Sequence, residues 1–259
     1  MVQLAEVSWL DARELLKRLD VVILPVGSTE QHGPHNPLGT DHLVAAALSK
    51  AVGDRTGVLV LPVIPIGVSE HHRQFPGTIW VQPSVFRDYV KSVILSISRH
   101  GPRKILIING HGGNEAALIE VAGELRREHG IFTAVLMAFP PAMMGEKSGH
   151  AGYGETSINL YFHKHLVKMD QAVDTKQNEN LGPFPIKRLG SIGPAQFPWD
   201  TIDLTDTGVL GSAGETIVST TASEETGRAL MEPYIEEVCR FVEILKKARV
   251  EELLCKPHK

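Results

Sequence analysis

Four short runs of mostly branched aliphatic residues do most to limit how this chain can fold: Val21 to Val26 (VVILPV), Val58 to Val63 (VLVLPV), Lys104 to Asn109 (KILIIN) and Phe132 to Phe139 (FTAVLMAF). None alternates apolar with polar residues, which is how strands buried on both faces read. Between them lie stretches with helical spacing: His42 to Val52, then Val85, Phe86, Tyr89, Val90, Val93, Ile94 and Ile97, then Ala117, Leu118, Val121, Ala122 and Leu125. Strands and helices alternating at this scale predict βαβ units and an α/β fold with a mostly parallel central sheet. Right-handed crossovers would place helices on both of its faces.

From Asp170 to Ser219 the periodicity fails and turn residues crowd in. A structureless stretch of that length inside a compact fold is usually functional, and this one reads as a lid or subunit-contact excursion, with room for a short hairpin. Thr221 and Glu224, in capping-box spacing, announce a closing helix from about Ser223 to Leu254. Pro233 is expected to kink that helix or to mark its true start. Without an internal repeat or a low-complexity segment to mark a boundary, residues 1–259 read as one domain.

Composition removes several function classes. Gly and Pro number 24 and 16 of 259 residues, below the roughly 25–30% typical of disordered chains. The longest apolar stretch, Val58 to Val68, is about half the roughly 20 residues that cross a bilayer, and two prolines interrupt it. The first twenty residues hold four acidic groups and no apolar core of a signal peptide, so a cytoplasmic location is expected. A net charge of −4 without a basic block offers nothing to nucleic acid or to an anionic membrane. A small-molecule partner is expected instead. Cys239 and Cys255, on one predicted helix, would stand about 24 Å apart and could not pair.

The polar segments that follow the strands carry the chemistry. Gly27 to His42 (GSTEQHGPHNPLGTDH) comes directly after the first run and holds Glu30, His32 and Asp41. Glu30 and His32 are two apart, so on an extended backbone they point the same way. The third run ends at Asn109 and passes through Gly110 to His111, with Gly112, Gly113 and Asn114 opening a helix. Gly149 to Ser157 (GHAGYGETS), after the fourth run, adds His150 and Glu155. In an open parallel sheet, ligands bind outside the carboxyl ends of the strands. Nitrogen and oxygen donors of this kind suit Zn²⁺, Mn²⁺ or Fe²⁺, and the lack of thiolate argues against a structural zinc.

Each residue also has an ordinary reading. Asp41 could cap the helix starting near His42, Glu155 could be an acid favoured by a helix amino terminus, and each histidine could be a hydrogen-bonded loop residue. GHGGN lacks the GxGxxG spacing and the lysine of phosphate-binding loops, and no GxSxG elbow surrounds Ser28. Trp80 in FPGTIW and Trp199 in FPWD read either as pocket walls or as core or interface aromatics.

GSTEQHGPHNPLGTDH, FPGT, INGHGGNE and HAGYGETS, in that order and spacing, resemble the creatininase (creatinine amidohydrolase) family over most of the chain. The resemblance implies a three-layer α/β/α domain, a two-metal site, hydrolysis of a non-peptide or unusual amide bond, and a homo-oligomer, a hexamer among the candidates. It implies that Glu30 and His111 hold one metal, that His32 holds the other, that Asp41 bridges both, and that His150 is the proton shuttle. The creatinine-cleaving members have Tyr and then a metal-binding Glu directly after the histidine matched by His111. Here Gly112 and Gly113 stand there, so Glu155 is expected to supply the missing carboxylate in preference to Glu115. The Gly112 and Gly113 amides are expected to hold the oxyanion. The same departure argues against creatinine as substrate. Relatives with the GHGGN form include formamide-cleaving enzymes and peptidase-like enzymes that trim a cofactor precursor. A metal-binding scaffold without turnover is the competing class.

Overall fold

The structure, a computed structural model, describes residues 2–143, 149–177, 180–187, 190–211 and 214–254. Chain order gives β1 (Val2–Gln3), α1 (Trp9–Leu16), β2 (Val21–Val26), α2 (Thr40–Thr56), β3 (Leu59–Val60), α3 (Pro83–Ser98), β4 (Lys104–Asn109), α4 (Glu115–His129), β5 (Phe132–Met137) and α5 (Tyr153–His163). There follow the short strands β6 (Thr175–Lys176), β7 (Asn180–Leu181), β8 (Phe184–Lys187), β9 (Ser191–Ile192), β10 (Ala195–Gln196) and β11 (Thr216–Ile217), then α6 (Glu224–Lys247) and α7 (Val250–Leu254).

The five-stranded central sheet is parallel throughout, in the order β1-β3-β2-β4-β5. Alternation along the buried strands explains the layers. Val21 and Ile23 of β2 and Leu106 and Ile108 of β4 pack with Val44, Leu48 and Val52 of α2, Ile158 of α5 and the apolar stripe of α6. Val22, Leu24, Val26, Ile105 and Ile107 face the other way, onto Phe86, Val90 and Ile94 of α3 and Leu118, Val121 and Leu125 of α4. Fully burying side chains of this kind stabilises by roughly 1.5–3 kcal/mol each. Both faces are therefore covered, which is why the strands carry no polar alternation.

The sheet order also fixes where a crevice opens. β2 is followed by β3 on one side and, after α3, by β4 on the other, so the order reverses at the β2/β4 pair. α2 leaves the end of β2 onto one face and α4 leaves the end of β4 onto the opposite face. The space between these two departures is the topological switch point of an open sheet.

Several expectations need correction. The second run shortens to Leu59–Val60, because prolines at Pro62 and Pro65 deny the ladder its donors. β1 and α1, unread from the sequence, precede the first expected strand. The closing helix takes its cap from Ser223, whose hydroxyl accepts the Thr226 amide, and not from Thr221. It divides into α6 and α7, and Pro233 lies inside α6 instead of at its start. Among the described residues, 170–219 hold two small antiparallel sheets, β10-β9-β8-β7 and β11-β6, where room for one short hairpin was expected. Cys239 is a buried thiol, while Cys255 lies outside the described residues. Among the described residues, no helix is long and apolar enough to cross a membrane.

Candidate metal centre

Two glycines set the geometry of the crevice. A Cβ on Gly27, just past β2, would stand 2.4 Å from the backbone nitrogen of His42. A Cβ on Gly110, just past β4, would stand 2.1 Å from the carbonyl oxygen of Asp41. Both strand exits thus press against the first turn of α2. Asp41 is inside that turn, with Gly39 at the cap position, so its carboxylate is not used as a cap. It reaches instead between the two strand ends.

The carboxylate of Asp41 touches a histidine with each oxygen. Oδ1 lies 3.1 Å from Nε2 of His32, and Oδ2 lies 3.2 Å from Nδ1 of His111. Glu30 meets the same His111 atom through Oε2 at 3.1 Å. Glu155, in the first turn of α5, stands 3.8 Å from His32 Nε2 and accepts the Ala151 amide at 2.7 Å. Ala151 holds a left-handed φ of 57° to present that amide, a conformation uncommon outside glycine.

Each of the two histidines has its far nitrogen tied to the main chain. His111 Nε2 donates to the carbonyl of Val68 at 3.0 Å, and His32 Nδ1 donates to the carbonyl of Glu30 at 3.2 Å. These bonds turn His111 Nδ1 and His32 Nε2 toward the carboxylates, which is how outer partners orient metal-ligating imidazoles. Gly113 is part of this arrangement. A Cβ there would stand 2.4 Å from both Val68 O and His111 Nε2, so no side chain fits beside that hydrogen bond. The space beside Gly112 is open.

Burial without partners marks the site as built for a charged guest. Glu30 Oε1 and Oε2, His32 Nε2 and Asp41 Oδ2 are all buried and make no hydrogen bond. Such atoms are costly unless paired or bound to a cation. Ligand-capable atoms of Glu30, Asp41 and His111 lie within 4.8 Å of one another, as do those of His32, His150 and Glu155 and those of Glu30, His72 and His150. The donor set therefore fits divalent cations, with Asp41 between two of the groups.

Taken as protein groups alone, the cluster shifts its own charges. Burial would raise Glu30, but the imidazoles of His111 and His72 hold it well below the usual carboxylate range. Burial disfavours charge on His32, yet Asp41 outweighs it and raises the imidazole to about 9. His111 is raised well above its ordinary value against burial by Glu30 and Asp41. Burial, with the charge of Asp41 beside it, lifts Glu155 to about 7. Burial, reinforced by His32 and His72, holds His150 well below the imidazole range, so it stays neutral.

A cavity of about 720 Å³ opens over these groups. Glu30, Asp41, His111, Gly112, Gly113, His150 and Glu155 line it. Met137, Phe139, Met143, Pro198, Trp199 and Leu210 also line it. Trp80 is half-buried and is not among the lining residues, so of the two tryptophans only Trp199 faces the pocket. Gly112 to Asn114 form a single 3₁₀ turn ahead of α4, which therefore begins later than the glycines suggest.

Three residues of the site escaped the sequence reading. His72 is buried, with Nε2 3.3 Å from Glu30 Oε1. His71 stacks on His111 with ring centroids 5.6 Å apart, and burial lowers it to about 3. Gln31 is buried between the two ligand-bearing neighbours. The paired histidines ahead of FPGT were the available signal for the first two.

The family model described as creatinine amidohydrolase matches residues 5–242. The mycofactocin precursor peptide peptidase of Mycobacterium tuberculosis is 30% identical, over 85% of this chain and 84% of its own length. The creatinine amidohydrolase of Pseudomonas putida is 28% identical, over 92% of this chain and 94% of its own. A crystal structure of creatinine amidohydrolase superimposes with a TM-score of 0.78 at 27% identity, covering 96% of this chain and 99% of that one. Similar creatininase structures are described as a zinc–zinc type and a manganese form. The α/β fold, the buried donor groups at the switch point and these likenesses agree: the chain belongs to the creatininase family.

Proposed function

We propose that this chain is a metal-dependent amidohydrolase that cleaves a carbon–nitrogen bond in a small amide, whether cyclic, formyl or peptide-like, with residues 1–259 acting as one domain. The observation that carries the reading is the set of buried carboxylate and imidazole atoms without hydrogen-bond partners around Asp41. Glu30 and His111 would hold one divalent cation, His32 and Glu155 the other, with Asp41 shared between them. Zinc, manganese and iron all suit these donors. When bound, such a pair of cations supplies an acidified water and polarises the substrate carbonyl.

The chain's own groups do the rest. His150 is neutral, with Nε2 donating to the carbonyl of Gln31 at 2.7 Å. Its Nδ1 is then free to take a proton and return it to the leaving nitrogen, the role of a general base and then a general acid. The Gly112 and Gly113 amides at the approach to α4 would stabilise negative charge developing on the amide oxygen. The open space beside Gly112 and the wall of Met137, Phe139, Met143 and Trp199 favour an amide with an apolar flank, larger than creatinine. Exposed Val85 and Tyr89 on α3 and Ile119 on α4 support a homo-oligomer.

A hydrolysis screen of cyclic amides, formamides and small peptides tests the reading. The metal-loaded protein should cleave at least one class, lose the activity on chelation and regain it with zinc or manganese. Failure to cleave any class at full metal occupancy would favour the scaffold reading. Cleavage that survives chelation would also contradict the proposal.

A further inference from the structure

Gln31 is buried, and the orientation of its amide can be read from its partners. Oε1 accepts the Gly33 amide at 3.0 Å, and Nε2 donates to the Gly208 carbonyl at 3.2 Å. The second amide hydrogen faces Nδ1 of His72 at 2.9 Å. An amide nitrogen can only donate, so Nδ1 of His72 must carry a lone pair there. The hydroxyl of Thr201, 2.6 Å from the same atom, then shares that single lone pair as a second donor. With Nδ1 accepting, a neutral imidazole keeps its proton on Nε2, which is the atom 3.3 Å from Glu30 Oε1.

The main-chain carbonyl of Gln31 fixes a second histidine. A carbonyl only accepts, so Nε2 of His150 at 2.7 Å carries the proton and Nδ1 the lone pair. Gln31 Nε2 also lies 2.9 Å from His150 Nε2. Both amide hydrogens are already committed, so that approach is a contact between two donors and not a hydrogen bond. Gly208 closes the arrangement from the excursion between α5 and α6. Its φ is +78°, and a Cβ there would stand 1.9 Å from Gln31 Oε1.

We propose that Gln31 is a positioning residue that sets the tautomer of His72 through its side chain and that of His150 through its main chain. His72 thereby turns a protonated nitrogen toward Glu30 and is not a ligand of a third cation, despite its place in a ligand-capable group. His150 keeps Nδ1 free. The consequence for turnover rests on the amidohydrolase reading, but the tautomers do not.

Nitrogen NMR of the histidine side chains in the zinc-loaded protein tests this. In the wild type, Nε2 should carry a proton and Nδ1 the lone pair in both His72 and His150. In Gln31→Glu an oxygen replaces the donor facing His72 Nδ1, so His72 should then carry a proton on Nδ1. His150 should not change, because its partner is a backbone carbonyl. In Gln31→Met, His72 should lose its single tautomer, and zinc affinity should fall by less than the roughly 10- to 100-fold that loss of a direct partner of a ligand costs, because His72 stands between Gln31 and Glu30. A wild-type His72 protonated on Nδ1 would overturn the proposal without any variant, and so would a His72 signal unmoved in Gln31→Glu. If the tautomers follow this pattern while no amide is cleaved, the functional reading fails and the positioning role stands.

Discussion

Oδ1 of Asp41 lies 3.1 Å from Nε2 of His32, while the other oxygen of the same carboxylate faces His111. One side chain on the first turn of α2 therefore joins groups carried on two different strand exits. That is possible only because Gly27 and Gly110 let both exits close on the α2 backbone.

Gly110→Ala should show this dependence. Its Cβ would meet the Asp41 carbonyl at 2.1 Å, and backbone cannot swing aside as a flexible side chain would. Overpacking of this kind costs roughly 1–3 kcal/mol. Urea denaturation should record that loss, and metal content should fall with it. A variant as stable as the wild type with full metal would contradict the close approach.

Gly113→Glu, which restores the carboxylate of the creatinine-cleaving relatives, should not add a ligand. The new Cβ would collide with Val68 O and His111 Nε2 and break the hydrogen bond that aims His111. Metal bound per chain should drop, and Gly113→Ala should reproduce the drop. Unchanged or tighter metal binding in Gly113→Glu would show that the Val68 segment yields.

His150→Asn separates a proton shuttle from a ligand. Loss of a general acid lowers turnover by roughly 10²- to 10⁴-fold, with both metal equivalents retained. Loss of one equivalent would make His150 a ligand alongside His32 and Glu155, with which it shares a ligand-capable group.

How much of this was legible depended on what each segment buries. β2 and β4 were read to the residue, because strands covered on both faces are continuous aliphatic runs. β3 was overread, since Pro62 continues an apolar run in sequence while ending its ladder. β1 has two residues and α1 leaves Trp9 exposed, so neither offered a buried pattern to detect. The strands between 175 and 217 are mostly two residues long, too short for alternation to show. Within the site, Glu30, His32, Asp41, His111, His150 and Glu155 stood out because they sit in polar segments that follow the long aliphatic runs. His72 did not, because it sits in a single short turn whose approach to Glu30 comes from the tertiary fold. Gln31 carries no signal in the sequence, since its place in the site lies in hydrogen bonds to His72 and Gly208, which sequence spacing does not reveal.

Glu155→Gln should divide the two cation positions. Glu155 meets His32 but not His111, so the variant should lose about one of the two equivalents and keep the one held by Glu30 and His111. Loss of neither would leave Glu155 as a partner of the Ala151 amide alone.

The metal content of Asp41→Ala, measured by mass spectrometry of the intact protein beside the wild type, tests the central claim most directly. The account predicts two equivalents of divalent metal per wild-type chain and loss of most of both in the variant, because one carboxylate serves both positions. A folded Asp41→Ala that still holds two equivalents would contradict it.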